Sequence, residues 1–129
     1  MKKEQNYVTD TSVLIERIVS KKIKEGEIKG NILIPHAVVA ELENQANRGQ
    51  DIGFSGLEEI QEIKTLAEKK GVALEFVGDR PTETQIKFAK SGEIDAYIRE
   101  IAYKNKATLI TADLVQSESG KAFGLDVMY

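Results

Sequence analysis

Apolar residues along this chain switch between two spacings. Short runs rich in apolar or β-branched residues at Tyr7–Thr9, Asn31–Ile34, Val72–Val77, Thr108–Thr111 and Asp126–Met128 read as strands. The intervals between them carry helical spacing. Val13, Leu14, Ile15, Ile18, Val19 and Ile23 line one helix that begins at Ser12 and is expected to end before Gly26. Pro35 suits a first helical turn, and Ala37–Arg48 reads as a helix stopped by Gly49. The segment GQDIGFSG reads as a loop, after which Ser55 and Glu58 form a capping-box signature for a helix reaching Lys70. Ile52 and Phe54 in that loop either tuck onto the chain's own core, the expected case, or form an interface. Thr82 with Gln85 suggests a second capping box, for a short helix ending near Ser91-Gly92. Ile94–Lys104 presents Ile94, Tyr97, Ile98, Ile101 and Ala102 on one face, and a short helix follows at Val115–Ala122.

Strands that alternate with helices imply an α/β fold with a mainly parallel five-stranded sheet, covered by helices on both faces. Right-handed crossovers then bring every strand's C-terminal end to one edge, where folds of this kind bind ligands. No internal repeat and no Pro- or Ser-rich linker divides the chain, so residues 1–129 read as a single domain.

Composition narrows the chemistry. The chain is 41% hydrophobic and 30% charged, which suits an ordinary globular domain. No apolar run approaches the roughly 18 residues of a membrane-spanning helix, and MKKEQNYV lacks the apolar core of a secretory signal. The absence of cysteine removes thiolate metal sites and a cysteine nucleophile, and fits a cytoplasmic protein. A single histidine, His36, excludes any mechanism needing two. The net charge of −3 argues against a protein that coats nucleic acid. It leaves room for an enzyme that approaches nucleic acid through a bound cation or a local basic rim.

Acids accumulate at the predicted ligand edge. Asp10 follows the first strand, in YVTDTSVLI, and Asp113 follows the fourth, in LITAD. Asp95 lies near a helix start in SGEIDAYI, and Glu41 lies among Val38, Val39 and Leu42 in HAVVAELENQ. Two carboxylates at ~4 Å repel by about 4 kcal/mol at an effective dielectric near 20, so a cation or protonation must compensate. Oxygen ligands without Cys or His favour magnesium or manganese over zinc. A water acidified by such an ion can attack a phosphodiester.

Each residue also has a plainer account. Asp10 and Asp113 can cap the helices after them, and Asp95 can favour the positive end of its own. Glu41 can be a solvated helix residue, Ser12 a cap, Thr111 a strand residue and His36 a surface residue. Those accounts leave unexplained why four acids share one edge, each beside an apolar element.

The motifs VTDTSVLI, VVAELENQA, SGEIDAYIREIA and LITAD, in that order, resemble the four acidic motifs of PIN-domain ribonucleases across essentially the whole chain. The resemblance implies a three-layer α/β/α sandwich, with Asp10, Glu41, Asp95 and Asp113 as the metal-binding and catalytic set. Ser12 and Thr111 match supporting hydroxyls. It implies Mg2+- or Mn2+-dependent hydrolysis of single-stranded RNA, endonucleolytic, leaving a 5′-phosphate and a 3′-hydroxyl, by homodimers or larger homo-oligomers. GFSGLEEI and DLVQSESGKAFG further resemble the PIN module of archaeal-type PIN–ATPase proteins that also carry a KH domain, so the chain is expected to be one piece of a longer protein. Arg48, Arg80, Lys87 and Lys90 are the candidates to hold phosphates.

Two other classes of function stay open at this point. One is a non-catalytic RNA-binding or oligomerisation module serving a linked ATPase. The other is a phosphotransfer receiver or phosphatase with Asp10 as nucleophile. The receiver's late lysine is not evident, however, and Ser12 stands where a phosphatase wants a second aspartate.

Overall fold

Parallel strands cannot be joined by tight turns, so each of the short apolar runs is separated from the next by helix. The computed structural model describes residues 5–88 and 93–129. Its strands are β1 (Asn6–Thr9), β2 (Asn31–Pro35), β3 (Ala73–Val77), β4 (Thr108–Ile110) and β5 (Val127–Met128). They form one five-stranded sheet in the order β3-β2-β1-β4-β5, and every ladder is parallel. The helices are α1 (Thr11–Ile15), α2 (Ile18–Lys24), α3 (His36–Asn47), α4 (Asp51–Lys70), α5 (Glu83–Phe88), α6 (Glu93–Lys104) and α7 (Leu114–Ala122). This is the expected α/β/α sandwich. The chain moves outward from β1 to β3 in one direction and from β4 to β5 in the other, so right-handed crossovers place the two helix sets on opposite faces. On one side α4 packs on α1, α2 and α3; on the other α6 lies against β1 and β4, and α7 against β5.

The core explains why the central strands read as continuous apolar runs. Val8, Ile32, Ile34, Leu109 and Ile110 are buried between helix residues such as Leu14, Val19, Leu42, Ile63, Ile98 and Ile101. Burial on both faces removes any need for polar alternation.

The structure departs from the sequence expectation in two places. The first helix is broken at Glu16 and Arg17, and Arg17 adopts a left-handed φ of 57°. Two side-chain contacts support the break. Ser55 Oγ donates to the Ile15 carbonyl at 3.0 Å, and the Arg17 guanidinium pairs with Glu58. Buried Glu59 then serves the new helix end, accepting from Ser20 N at 2.9 Å, because Arg17 offers no side-chain cap.

The second departure is that GQDIGFSG is a loop only at Gly49 and Gln50. Helix α4 begins at Asp51, so Ser55 lies inside it and caps nothing. Two of its three glycines, Gly53 and Gly56, are there for packing. A Cβ on Gly53 would strike the backbone of Ala46 and Leu42, and one on Gly56 would strike the Leu42 side chain. Ile52 and Phe54, expected to tuck inward, are instead 44% and 53% exposed near the start of α4. The Thr82–Gln85 capping box forms as expected: Gln85 N donates to Thr82 Oγ1 at 3.1 Å and Thr82 N to Gln85 Oε1 at 2.8 Å. The expected end of that helix at Ser91-Gly92 lies outside the described residues. Among the described residues no helix is long and apolar enough to cross a membrane.

Candidate metal centre

The C-terminal ends of β1 and β4 are neighbours in the sheet, with Thr9 paired to Ile110. The residues just beyond them therefore meet. Asp10 N donates to the Ile110 carbonyl at 3.0 Å, which extends the ladder by one step and aims the Asp10 side chain at the β4 end. The Asp10 carboxyl is buried and held by three donors. Thr11 N reaches Oδ1 at 2.7 Å; Thr111 Oγ1 and Ser12 Oγ reach Oδ2 at 2.7 and 3.3 Å. The two hydroxyls are themselves oriented, since Ser12 Oγ accepts from Ala112 N and Thr111 Oγ1 from Asp113 N, each at 3.0 Å. Ser12 and Thr111 thus both hydrogen-bond the Asp10 carboxyl.

Asp113 caps α7, accepting from Val115 N at 2.9 Å and Gln116 N at 3.4 Å through Oδ1. Asp10 likewise caps α1. The cap and ligand readings are compatible, because a cap bond occupies one carboxylate oxygen and leaves lone pairs elsewhere. Glu41 reaches the same region from α3, where Thr11 Oγ1 donates to its Oε2 at 3.2 Å. Asp95 lies in the first turn of α6.

Electrostatics tie the four together. Burial raises the Asp10 carboxyl above its ordinary value, and Asp113 adds repulsion, against the pull of the three hydrogen bonds. Burial also raises Glu41, with the Thr11 bond opposing and Asp10 and Asp95 repelling. Asp95 is raised by burial, then by Asp10 and Asp113, while Arg99 opposes. Among the described residues none of the four acids forms a salt bridge. Three partly or fully buried carboxyls whose charged forms are disfavoured by burial and by neighbouring acids, with Asp113 beside them, make a site that gains from a cation.

As the side chains stand, no group of three His, Cys, Asp or Glu among the described residues is close enough to hold one ion. A magnesium ion does not require such a cage, since it commonly takes one or two carboxylates and keeps its remaining waters. The all-oxygen donor set, its burial and its mutual repulsion fit a hard divalent cation of this kind.

Arg80 pairs with Glu43 at 2.6 Å, and Arg48 is exposed at the end of α3. Lys90 and the Lys87 side chain lie outside what is described. His36 packs its ring 6.0 Å from that of Phe76 at a tilt of 31°. Three residues that the sequence did not single out touch the acids or their helices: Thr11, Arg99 and Gln116. Arg99 was detectable in principle, one helical turn beyond Asp95 on the same face. Gln116 carries no local signal.

The PIN domain family model matches residues 7–121 of this chain. Among curated proteins, an uncharacterised KH- and PIN-domain-containing protein of Methanocaldococcus jannaschii is 41% identical over 121 residues, covering 93% of this chain and 19% of its own length. A Holliday junction branch migration ATPase of Sulfolobus acidocaldarius is 26% identical over 124 residues, covering 96% of this chain and 22% of its own length. The chain therefore spans about a fifth of the length of these relatives. Among solved structures, a domain of a functionally unknown protein from Methanocaldococcus jannaschii superposes with a TM-score of 0.93 at 39% identity, over 97% of this chain and 90% of that one. A PilT N-terminus domain protein of Sulfolobus solfataricus shares the fold, with a TM-score of 0.52 at 18% identity over 96% of this chain and 86% of that one.

Proposed function

This chain belongs to the PIN-domain family, and from that premise we propose that it hydrolyses phosphodiester bonds of single-stranded RNA with Mg2+ or Mn2+ held at the Asp10 edge. The observation that carries the reading is geometric: Asp10 and Asp113 stand at the neighbouring ends of β1 and β4 with Thr111 bonded to both, and Glu41 joins Asp10 through Thr11. Asp10, Asp95 and Asp113 would hold the ion, in part through its bound waters, and Glu41 would hold a second ion or the attacking water. The ion, when bound, offsets phosphate charge and acidifies a water. The protein's own share is positioning. Thr111 and Ser12 fix one oxygen of Asp10, and Thr11 fixes Glu41 relative to it. The expected cut is internal, leaving a 5′-phosphate and a 3′-hydroxyl.

The reading extends to the whole protein. Relatives about five times as long, one with a KH domain and one an ATPase, support a PIN module covalently joined to such domains; the homodimer or larger assembly rests on the family resemblance alone.

The test is cleavage of single-stranded RNA with Mn2+, with single-stranded DNA alongside, comparing wild type with Asp10→Asn and Asp95→Asn. Loss of cutting in both variants is expected. Equal rates in all three proteins would remove the assignment. A second reading, a non-catalytic RNA-binding or assembly module of a larger ATPase, is favoured by the spread of the acids, no three of which stand within reach of one ion. Metal-dependent thermal stabilisation without cleavage of any RNA supports that alternative.

A further inference from the structure

Gln116, the third residue of α7, is 1% exposed, and both polar atoms of its side-chain amide are paired. Its Nε2 donates to the Asp95 carbonyl at 3.1 Å, and its Oε1 accepts from Arg99 Nη1 at 2.6 Å. Its backbone N–H adds a bond to Asp113 Oδ1 at 3.4 Å. A single buried side chain therefore ties the start of α6, which bears Asp95, to the start of α7, which is capped by Asp113.

The bridge also holds a cation. Arg99 is the positive group that favours the ionised form of Asp95. Its guanidinium lies over the Phe123 ring at 5.6 Å, so the ring supports one face while Gln116 fixes an edge. Without Gln116, the fork would keep its ring but lose its fixed hydrogen-bond partner. The Asp95 carbonyl would also lose the donor that locks α6 onto α7. Buried amides of this kind are costly unless every polar atom is paired, and here both are.

We propose that Gln116 is a positioning residue of the metal centre, setting the separation of Asp95 and Asp113 and the placement of Arg99 beside Asp95. This inference rests on the reading of the four acids as metal ligands. Residues that orient ligands from behind typically change metal affinity by about 10- to 100-fold when removed.

The test is a Mn2+ titration by calorimetry, with thermal melting in the absence of metal, on wild type, Gln116→Met, Gln116→Leu and Ser117→Ala. Methionine keeps the unbranched shape, and leucine serves if the methionine variant does not fold. Ser117 is the control: it is buried on the same helix, and its hydroxyl has no partner among the described residues. The expected result is Mn2+ binding weakened about tenfold in the Gln116 variants and unchanged in Ser117→Ala. Wild-type affinity in a folded Gln116 variant overturns the inference alone. An equal loss in Ser117→Ala also overturns it, because general loosening of α7 would then account for the effect. Failure of wild type to bind Mn2+ overturns the proposed function, and this inference with it.

Discussion

Thr111 donates its hydroxyl hydrogen to Asp10 Oδ2 at 2.7 Å, joining residues 101 positions apart at the ends of two adjacent parallel strands. The same hydroxyl accepts from Asp113 N, so one small side chain connects two of the four acids. Thr111→Val should strip both bonds while keeping the volume. The buried Asp10 oxygen and the Asp113 N–H then lose a partner, at a cost of about 1–3 kcal/mol in urea unfolding. Thr111→Ser should restore most of that loss, and a valine variant as stable as wild type would show the bridge to be dispensable.

The raised carboxyls make a pH prediction with a definite sign. Glu41 is held above its ordinary value of 4.5 in the folded state, so at intermediate pH the folded protein binds more protons than the unfolded chain. Stability contributed by this group is therefore highest below 4.5 and falls as pH rises through that value toward the folded-state pKa. Glu41→Gln removes the effect. Measured without metal, the variant's stability relative to wild type should climb as pH rises from about 4 to neutrality. A flat or falling difference would contradict the burial and repulsion assigned to Glu41.

Just past the break between α1 and α2, the buried Glu59 side chain accepts the Ser20 N–H in the first turn of α2. Glu59→Leu should leave that donor unpaired at a helix start and destabilise the fold by about 1–3 kcal/mol. Glu59→Gln keeps an acceptor and should recover much of the loss. Burial raises Glu59 as well, so the glutamine variant should compare more favourably with wild type as pH increases. Both follow from chemical denaturation at two pH values.

Gly53 and Gly56 set the approach of α4 to α3. Gly53→Ala presses a methyl against backbone that cannot turn aside, whereas Gly56→Ala meets the Leu42 side chain. Each should destabilise by about 1–3 kcal/mol, with Gly53→Ala the more severe. Alanine stabilising either position through helix propensity would contradict the close packing.

These same residues show what sequence reading reaches. The five strands, their parallel pairing and the shared edge of Asp10 and Asp113 were legible, because apolar runs separated by helical spacing admit few topologies; the strand order was not. The Thr82–Gln85 cap was legible because its partners are three residues apart. Gly53 and Gly56 misled, since glycine signals a turn locally and a close helix contact only when the facing helix is known. The left-handed Arg17 is invisible for a similar reason: its support comes from Ser55 and Glu58, about forty residues away. Gln116 belongs to the same class, as its partners lie on another helix.

The most direct measurement is anomalous scattering from crystals of the protein soaked in Mn2+. The account predicts a peak at the Asp10 edge, at a ligating distance of about 2.0–2.2 Å from carboxylate oxygens of Asp10 and at least one of Asp95, Asp113 or Glu41. No peak there at saturating manganese, or a peak held by other residues, would contradict it.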